Sequence, residues 1–473
     1  MNIGSVEHPF LDAETNFAPL RMEVDASDLV IKGALPPELD GDFYRQGPSQ
    51  HFPPRDGAAW HWFSADGMTH KIAIRDGRAS YRNRYMRTPS FTLEQQAGRS
   101  LFGTFGNPIT SDPSVVGVAW GTANTNLAEH NGRLFALEEG SRPFEIDPDS
   151  LASLGYCDFG GGLKGPMTAH PKKDAATGEL VAFAYTDNTP FSRDVGIRII
   201  NAEGVVTRDE TFEAPYACMM HDFGVTQNHL IFGFFPAVWS IERVMTGRSP
   251  LYFDPSQDVH IGILRRDAPT ATMKWFTMPA CYVFHAMNAF EKDGVVYWDV
   301  IRYDKPPLVE GLDGQFPAVS ETPGFLERWS FDLSKSAPHV RRDRLSDTPG
   351  ELPRMDERLT GRPYRYGYWA TQTRSMPQAP MYDGVAQIDL ETGATQVYAP
   401  GDGSVFGEPI FAPRSSDAAE GDGFVLSLVY LPHTRTSRLM IFDAASITAG
   451  PRAHIELPVR VPNGHHNIWR ART

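Results

Sequence analysis

The sequence predicts an all-β protein assembled as a β-propeller, and three observations predict it. Short apolar or β-branched runs bounded by Gly, Asp or Asn follow one another along the chain, at 133–138, 180–185, 229–235, 294–303, 423–430 and 438–442. A strand-then-turn repeat recurs after Ile146 at Asp147, after Ile200 at Asn201, after Phe331 at Asp332, after Ile388 at Asp389 and after Phe442 at Asp443. The 29 Phe, 16 Tyr and 9 Trp favour sheets, while 42 Gly and 38 Pro supply frequent turns. Repeated antiparallel units of this kind fit blades packed radially, with their edges sheltered. The repeat is degenerate, so on pattern alone a sandwich or a barrel also remains compatible.

Composition sets further bounds. A 41% apolar content is ample for a large core. No Gly/Pro/Ser-rich linker or charge block interrupts residues 1–473, so one domain is expected. A formal charge of −14 argues against nucleic acid, whose phosphates demand a basic surface. Cys157, Cys218 and Cys281 are odd in number and far apart, which fits neither a disulfide framework nor a thiolate zinc site. The first residues show no basic segment followed by an apolar run, and no stretch approaches the ~18 apolar residues of a membrane span. A reducing, cytoplasmic setting is expected, one that would keep bound iron ferrous. Oligomeric state is not legible.

Four histidines stand out among 15. His170 lies in Thr-Ala-His-Pro, His221 in Met-Met-His-Asp-Phe, His285 in Val-Phe-His-Ala-Met-Asn, and His466 in Gly-His-His-Asn-Ile-Trp. Each sits in or beside an apolar or aromatic stretch, where an unpartnered imidazole is costly to bury. Gathered at one point they would cradle a divalent transition metal and leave positions free for substrate chemistry. Separations of 51, 64 and 181 residues put each on a different blade, and a propeller's axis is where distant blades converge. Spacing alone does not exclude structural roles for any of them.

Longer motifs narrow the reading. Phe43-Tyr44-Arg45-Gln46-Gly47-Pro48, His61-Trp62-Phe63-Ser64-Ala65-Asp66-Gly67-Met68, Ala123-Asn124-Thr125-Asn126, Leu137-Glu138-Glu139-Gly140, Phe284-His285-Ala286-Met287-Asn288, Glu351-Leu352-Pro353-Arg354 and Phe406-Gly407-Glu408-Pro409 run in order nearly end to end. Together they resemble the carotenoid cleavage oxygenase family, and within it the bacterial branch that cleaves lignostilbenes and isoeugenol. The resemblance implies a seven-bladed propeller, with loops and short helices capping one axial Fe(II) per chain. It assigns the iron to His170, His221, His285 and His466, with an aromatic expected at His465. Asn467 stands where the family commonly has Gly. Glu139, Glu351 and Glu408 match glutamates that accept the outer N–H of His221, His285 and His466, fixing tautomer and ring direction. On the residues alone, without the histidines, each reads rather as a solvated strand end. Thr125 matches a threonine whose methyl crowds an open coordination position; otherwise it reads as an ordinary strand residue.

The implied reaction splits one C=C bond with O2 into two carbonyl products. Both oxygen atoms end in product, so no reductant or organic cofactor is required. Phe105, Glu138 and Phe284 are the expected substrate contacts. Phe105 and Glu138 fall where the branch has the Tyr and Lys that contact a substrate phenol. Phe105 cannot hydrogen-bond there, and an ionised Glu138 would repel a phenolate. An apolar aryl alkene, stilbenoid or phenylpropenoid, is the expected partner of O2. Two alternatives stay open at this level: an apocarotenoid substrate, or a non-catalytic binding propeller that would hold no stoichiometric iron.

Overall fold

Runs that are apolar on both faces need neighbours on both faces, and packing sheets radially supplies them. Residues Leu180–Tyr185 are buried at every position, whereas Val206–Glu213 alternates between half-buried and exposed at the outer edge of the same sheet. The computed structural model describes residues 15–55, 61–103, 108–118, 120–246, 248–335, 340–374 and 381–472. Within them seven sheets of four to six strands form the seven blades of a propeller.

Blade one comprises Asp25–Ala26, Gly41–Pro48, Gly67–Arg75, Arg78–Tyr85 and the C-terminal Asn467–Ala471. Blade two spans Asn126–His130 to Ser153–Tyr156, blade three Lys172–Lys173 to Val206–Glu213, and blade four Gly224–Val225 to Lys274–Met278. Blade five runs from Tyr282–Lys292 to Val340–Arg344, and blade six from Gly350–Met355 to Ala394–Tyr398. Blade seven, Val405–Phe406 to Ala453–Glu456, also takes up Ile31–Gly33 from near the N-terminus.

Closure comes from the two ends of the chain. Asn467–Ala471 pairs antiparallel with Gly41–Pro48, placing Arg45 opposite Asn467 and Phe43 opposite Trp469. The last strand therefore completes the first blade, and the same step delivers His466 to the axis.

The Asp/Asn repeat has one structural meaning. In blades two, three, five and six it marks the turn between the third and fourth strands, and in blade seven the turn between Thr436–Asp443 and Ala453–Glu456. There the side chain caps its own turn. Asp147 accepts from the Ser150 amide at 2.7 Å, Asn201 from Val205 at 2.8 Å, Asp332 from Ser334 at 3.0 Å, Asp389 from Glu391 at 3.0 Å, and Asp443 from Ala445 at 3.1 Å. These Asx turns are local, which is why they are readable in a linear sequence.

Two additions lie outside the repeat. A hairpin of Ala237–Trp239 and Leu251–Phe253 interrupts blade four. The helix Pro89–Ala97 begins at a Thr88 cap, with Pro in its first turn, and stops at Gly98 in the left-handed region. No helix among the described residues is long and apolar enough to cross a membrane. Cys157, Cys218 and Cys281 are buried free thiols.

Candidate metal centre and cavity

Each of the seven blades sends one of seven residues to the axis. His170 and His221 sit just ahead of Lys172–Lys173 and Gly224–Val225, the first strands of blades three and four. His285 lies inside Tyr282–Lys292, where the register slips between Val283 and Ala286. His466 immediately precedes the closing strand of blade one. Glu139, Glu351 and Glu408 come from blades two, six and seven. At Glu351 the pairing is again irregular, and Leu352 takes φ +59°, a bulge that re-aims the glutamate.

The four imidazole groups meet. His170, His221 and His466 are buried and the His285 side chain is 12% exposed, with one nitrogen of each lying within 4.8 Å of the others. The Nε2 atoms of His170 and His221 are 3.1 Å apart, those of His221 and His285 3.0 Å, and those of His285 and His466 3.2 Å. Between His221, His285 and His466 these are not hydrogen bonds. Three of the rings commit their Nδ1–H elsewhere: His221 donates to Glu139 Oε1, His285 to Glu351 Oε2 at 2.7 Å, and His466 to Glu408 Oε1 at 2.9 Å. Their Nε2 atoms then carry lone pairs, which repel one another at this range unless a cation lies between them.

The spacing also selects a geometry. Donors bound at about 2.0–2.1 Å stand about 3 Å apart at right angles, and about 3.3–3.4 Å apart around a tetrahedral ion. Five of the six ring-centre separations lie between 4.5 and 5.0 Å, and only His221–His466 is long, at 6.5 Å. One opposed pair and five adjacent pairs describe four corners of an octahedron. A structural zinc site would make all six alike. The corners opposite His170 and His285 receive no histidine.

At three of the four rings the shifts favour the neutral form that ligates a cation. Burial, with the neighbouring imidazoles and Lys172, holds His170 and His466 well below the usual histidine range, and His285 is pushed down to about 3. At His221 burial acts in the same sense, but the Glu139 carboxylate outweighs it and raises the ring. Burial raises Glu351 to about 8, and Glu408 also rises, opposed by Arg354. Neutral imidazoles are the ligating form, and four of them leave a divalent ion its full charge.

A cavity of about 540 Å³ opens beside the cluster. His221, His285 and His466 line it, whereas His170 faces a smaller space of about 70 Å³ with Lys172 and Asp222. Thr125, Glu138, Glu139, Glu351 and Phe284 all border that cavity. The Thr125 hydroxyl donates to Asn124 Oδ1 at 2.9 Å, and the Phe284 ring lies 5.6 Å from His221. Phe105 lies outside the described residues.

Sequence reasoning leaves out several groups that the fold brings here. Tyr185 donates its hydroxyl to Glu139 Oε2, so that one carboxylate joins a cavity tyrosine to His221. Trp62, Phe63, Tyr303 and Tyr382 add aromatic wall, and the His465 ring packs 4.3 Å from Trp62 instead of entering the cluster. Tyr185 ends a buried strand and carries no motif, so only three-dimensional pairing reveals it.

Comparison with known proteins gives a consistent result. A family model described as retinal pigment epithelial membrane protein matches residues 17–471. The chain is 35% identical to lignostilbene-alpha,beta-dioxygenase isozyme III of Sphingomonas paucimobilis over 95% of each chain. It is 34% identical to isoeugenol monooxygenase of Pseudomonas nitroreducens, over 95% of this chain and 96% of that one. Among solved structures, a Pseudomonas brassicacearum lignostilbene dioxygenase superposes with a TM-score of 0.94 at 32% identity, covering 98% and 99% of the two chains. A variant of the Synechocystis apocarotenoid oxygenase superposes at 0.85 with 29% identity, covering 96% and 97%.

Proposed function

The chain belongs to the carotenoid cleavage oxygenase family, that of the retinal pigment epithelial membrane protein, and on that premise we propose that it uses O2 to cleave the C=C bond of a stilbenoid or phenylpropenoid. Two carbonyl fragments leave, each carrying one atom of the O2. The observation that carries this reading is the right-angled convergence of four imidazoles at the wall of an aromatic cavity. The whole of residues 1–473 is read as one domain, acting in a reducing cytoplasm that suits its free thiols.

His170, His221, His285 and His466 would hold Fe(II), which supplies the one-electron chemistry that triplet O2 requires. The protein's own part is positional. Glu139, Glu351 and Glu408 keep three Nδ1 protons outward and so keep Nε2 facing in. Thr125 would narrow one approach to the centre, leaving the alkene a single side from which to present its double bond. Phe284, with Trp62, Phe63 and Tyr382, would hold the aryl ring by burial and edge-to-face contact. An apolar wall also excludes bulk water from the reacting carbon atoms.

The test is product analysis. Iron-loaded protein supplied with a panel of stilbenes, isoeugenol and apocarotenals is expected to release aldehyde from an aryl alkene, with one 18O atom from 18O2 in each fragment trapped before exchange. Aldehyde from apocarotenals alone would replace the proposed substrate class. No carbonyl product from any alkene would contradict the reading.

A further inference from the structure

Three arginines are buried among the described residues, and two of them meet acids. Arg198 pairs with Asp187 and Asp209, and Arg243 with Glu310. Arg45 pairs with no acid there. Its Nη2 donates to the Pro462 carbonyl at a long 3.4 Å, while Nε and Nη1 are buried with no hydrogen-bond partner among the described residues. Arg302 and Arg438 also leave Nε bare, but their terminal nitrogens reach Asp304 and Glu456. The carboxylate whose field reaches Arg45 is Glu408, and it is engaged by His466, the Asn467 amide and Arg354. Burial lowers Arg45 to about 10, with Glu408 opposing, so the guanidinium keeps its charge at neutral pH. A buried charge without a counter-charge is costly.

Two more polar groups stand beside it. Asn463 Oδ1 accepts from Asn16 Nδ2 at 2.8 Å, which turns the Asn463 amide so that its Nδ2 is left to donate. That atom and His465 Nε2 are again buried without a partner among the described residues. Between these two side chains Gly464 lets the guanidinium come close, since a Cβ there would lie 2.6 Å from Arg45 Nη1. Arg45, Asn463, Gly464 and His465 all border the large cavity. We propose that Arg45, Asn463 and His465 form an anion site in this wall, and that it takes a small monovalent carboxylate, free in solution or carried on a larger molecule. A planar carboxylate offers two oxygens to a guanidinium and keeps lone pairs for the Asn463 amide and the imidazole. Its charge would also answer that of Arg45. The site is independent of the metal centre and does not rest on alkene cleavage.

The experiment titrates iron-loaded protein calorimetrically, without O2, in chloride-free buffer of fixed ionic strength. Acetate is expected to fill one site per chain and to bind at least about tenfold more tightly than acetamide, its neutral analogue. Arg45→Met is expected to abolish that preference, and Arg45→Lys, which keeps the charge without the planar fork, to reduce it at least about threefold. Without acetate, Arg45→Met should melt at a higher Tm than the unmodified protein, because it removes an unanswered charge; acetate should raise Tm in the unmodified protein only. The ferrous Mössbauer spectrum should not change on acetate saturation. A second pair of ligands separates the sources: 4-hydroxycinnamate favoured over 4-vinylphenol through Arg45, with no acetate site, assigns the carboxylate to a larger molecule. Should the Met variant fail to fold, the same comparisons on Arg45→Lys decide. No advantage for either carboxylate, an advantage that survives both substitutions, or a Mössbauer spectrum shifted by acetate, which would put the anion on the metal, overturns the site.

Discussion

Replacing His285 with alanine is expected to reduce bound iron from about one per chain to below about one tenth, and turnover with it by on the order of a thousandfold. His285, like His170, has adjacent neighbours on every side, its centre 4.7 to 5.0 Å from those of His170, His221 and His466. Losing it leaves an opposed pair and one lone ring. The fold is expected to survive, because Glu351, already raised to about 8, can take a proton once its imidazole partner has gone. His70→Ala is the matching control. His70 is buried and its Nδ1 lies 2.7 Å from the Tyr81 hydroxyl, but it stands outside the cluster. That variant should lose stability and keep its iron. Metal analysis and thermal unfolding of the two proteins separate the effects.

The three outer glutamates are expected to differ when each becomes glutamine, with Glu408→Gln the most damaging. Both oxygens of Glu408 receive backbone or ring donors: His466 Nδ1 at 2.9 Å on Oε1 and the Asn467 amide at 2.6 Å on Oε2. An amide can answer only one of them. Its NH2 must face either the His466 N–H, which drives that ring to the tautomer unable to ligate, or the Asn467 N–H at the start of the closing strand. Arg354, 3.5 Å from Oε1, loses its counter-charge as well. Iron affinity should fall about 10- to 100-fold, with a lower Tm. Glu351→Gln should be milder. Oε2 of Glu351 serves both His285 and the Leu352 amide, so a glutamine oxygen placed there satisfies both. Glu139→Gln falls between them, since its NH2 can donate to the Tyr185 oxygen that formerly donated. Iron titrations of the three variants check the order.

What could be read in the sequence divides by range. The Asp and Asn turns at Asp147, Asn201, Asp332, Asp389 and Asp443 are local chemistry, and they reported the blade rhythm directly. The four histidines were legible because an imidazole in an apolar run demands a partner. The same rule marks Glu408, flanked by Phe406 and Ile410, as an uncomfortable surface residue, and it is buried against His466. The number of blades came only from the resemblance, since Gly224–Val225 and Lys172–Lys173 are two-residue strands with no pattern to find. The helix Pro89–Ala97 carries the ordinary signals of Thr88, Pro89 and Gly98 but lacks a strong apolar stripe, and the strand pattern around it hides it. Tyr185 and the 6.5 Å opposition of His221 and His466 depend on contacts across blades, which no linear window contains.

The most direct measurement is the metal content of protein purified without air from iron-supplied cells, paired with the same analysis after His221→Ala. If the four imidazoles enclose one ferrous ion, the unmodified chain carries about one iron and the variant almost none. Unmodified protein that holds no iron, or iron content unchanged by His221→Ala, would contradict it.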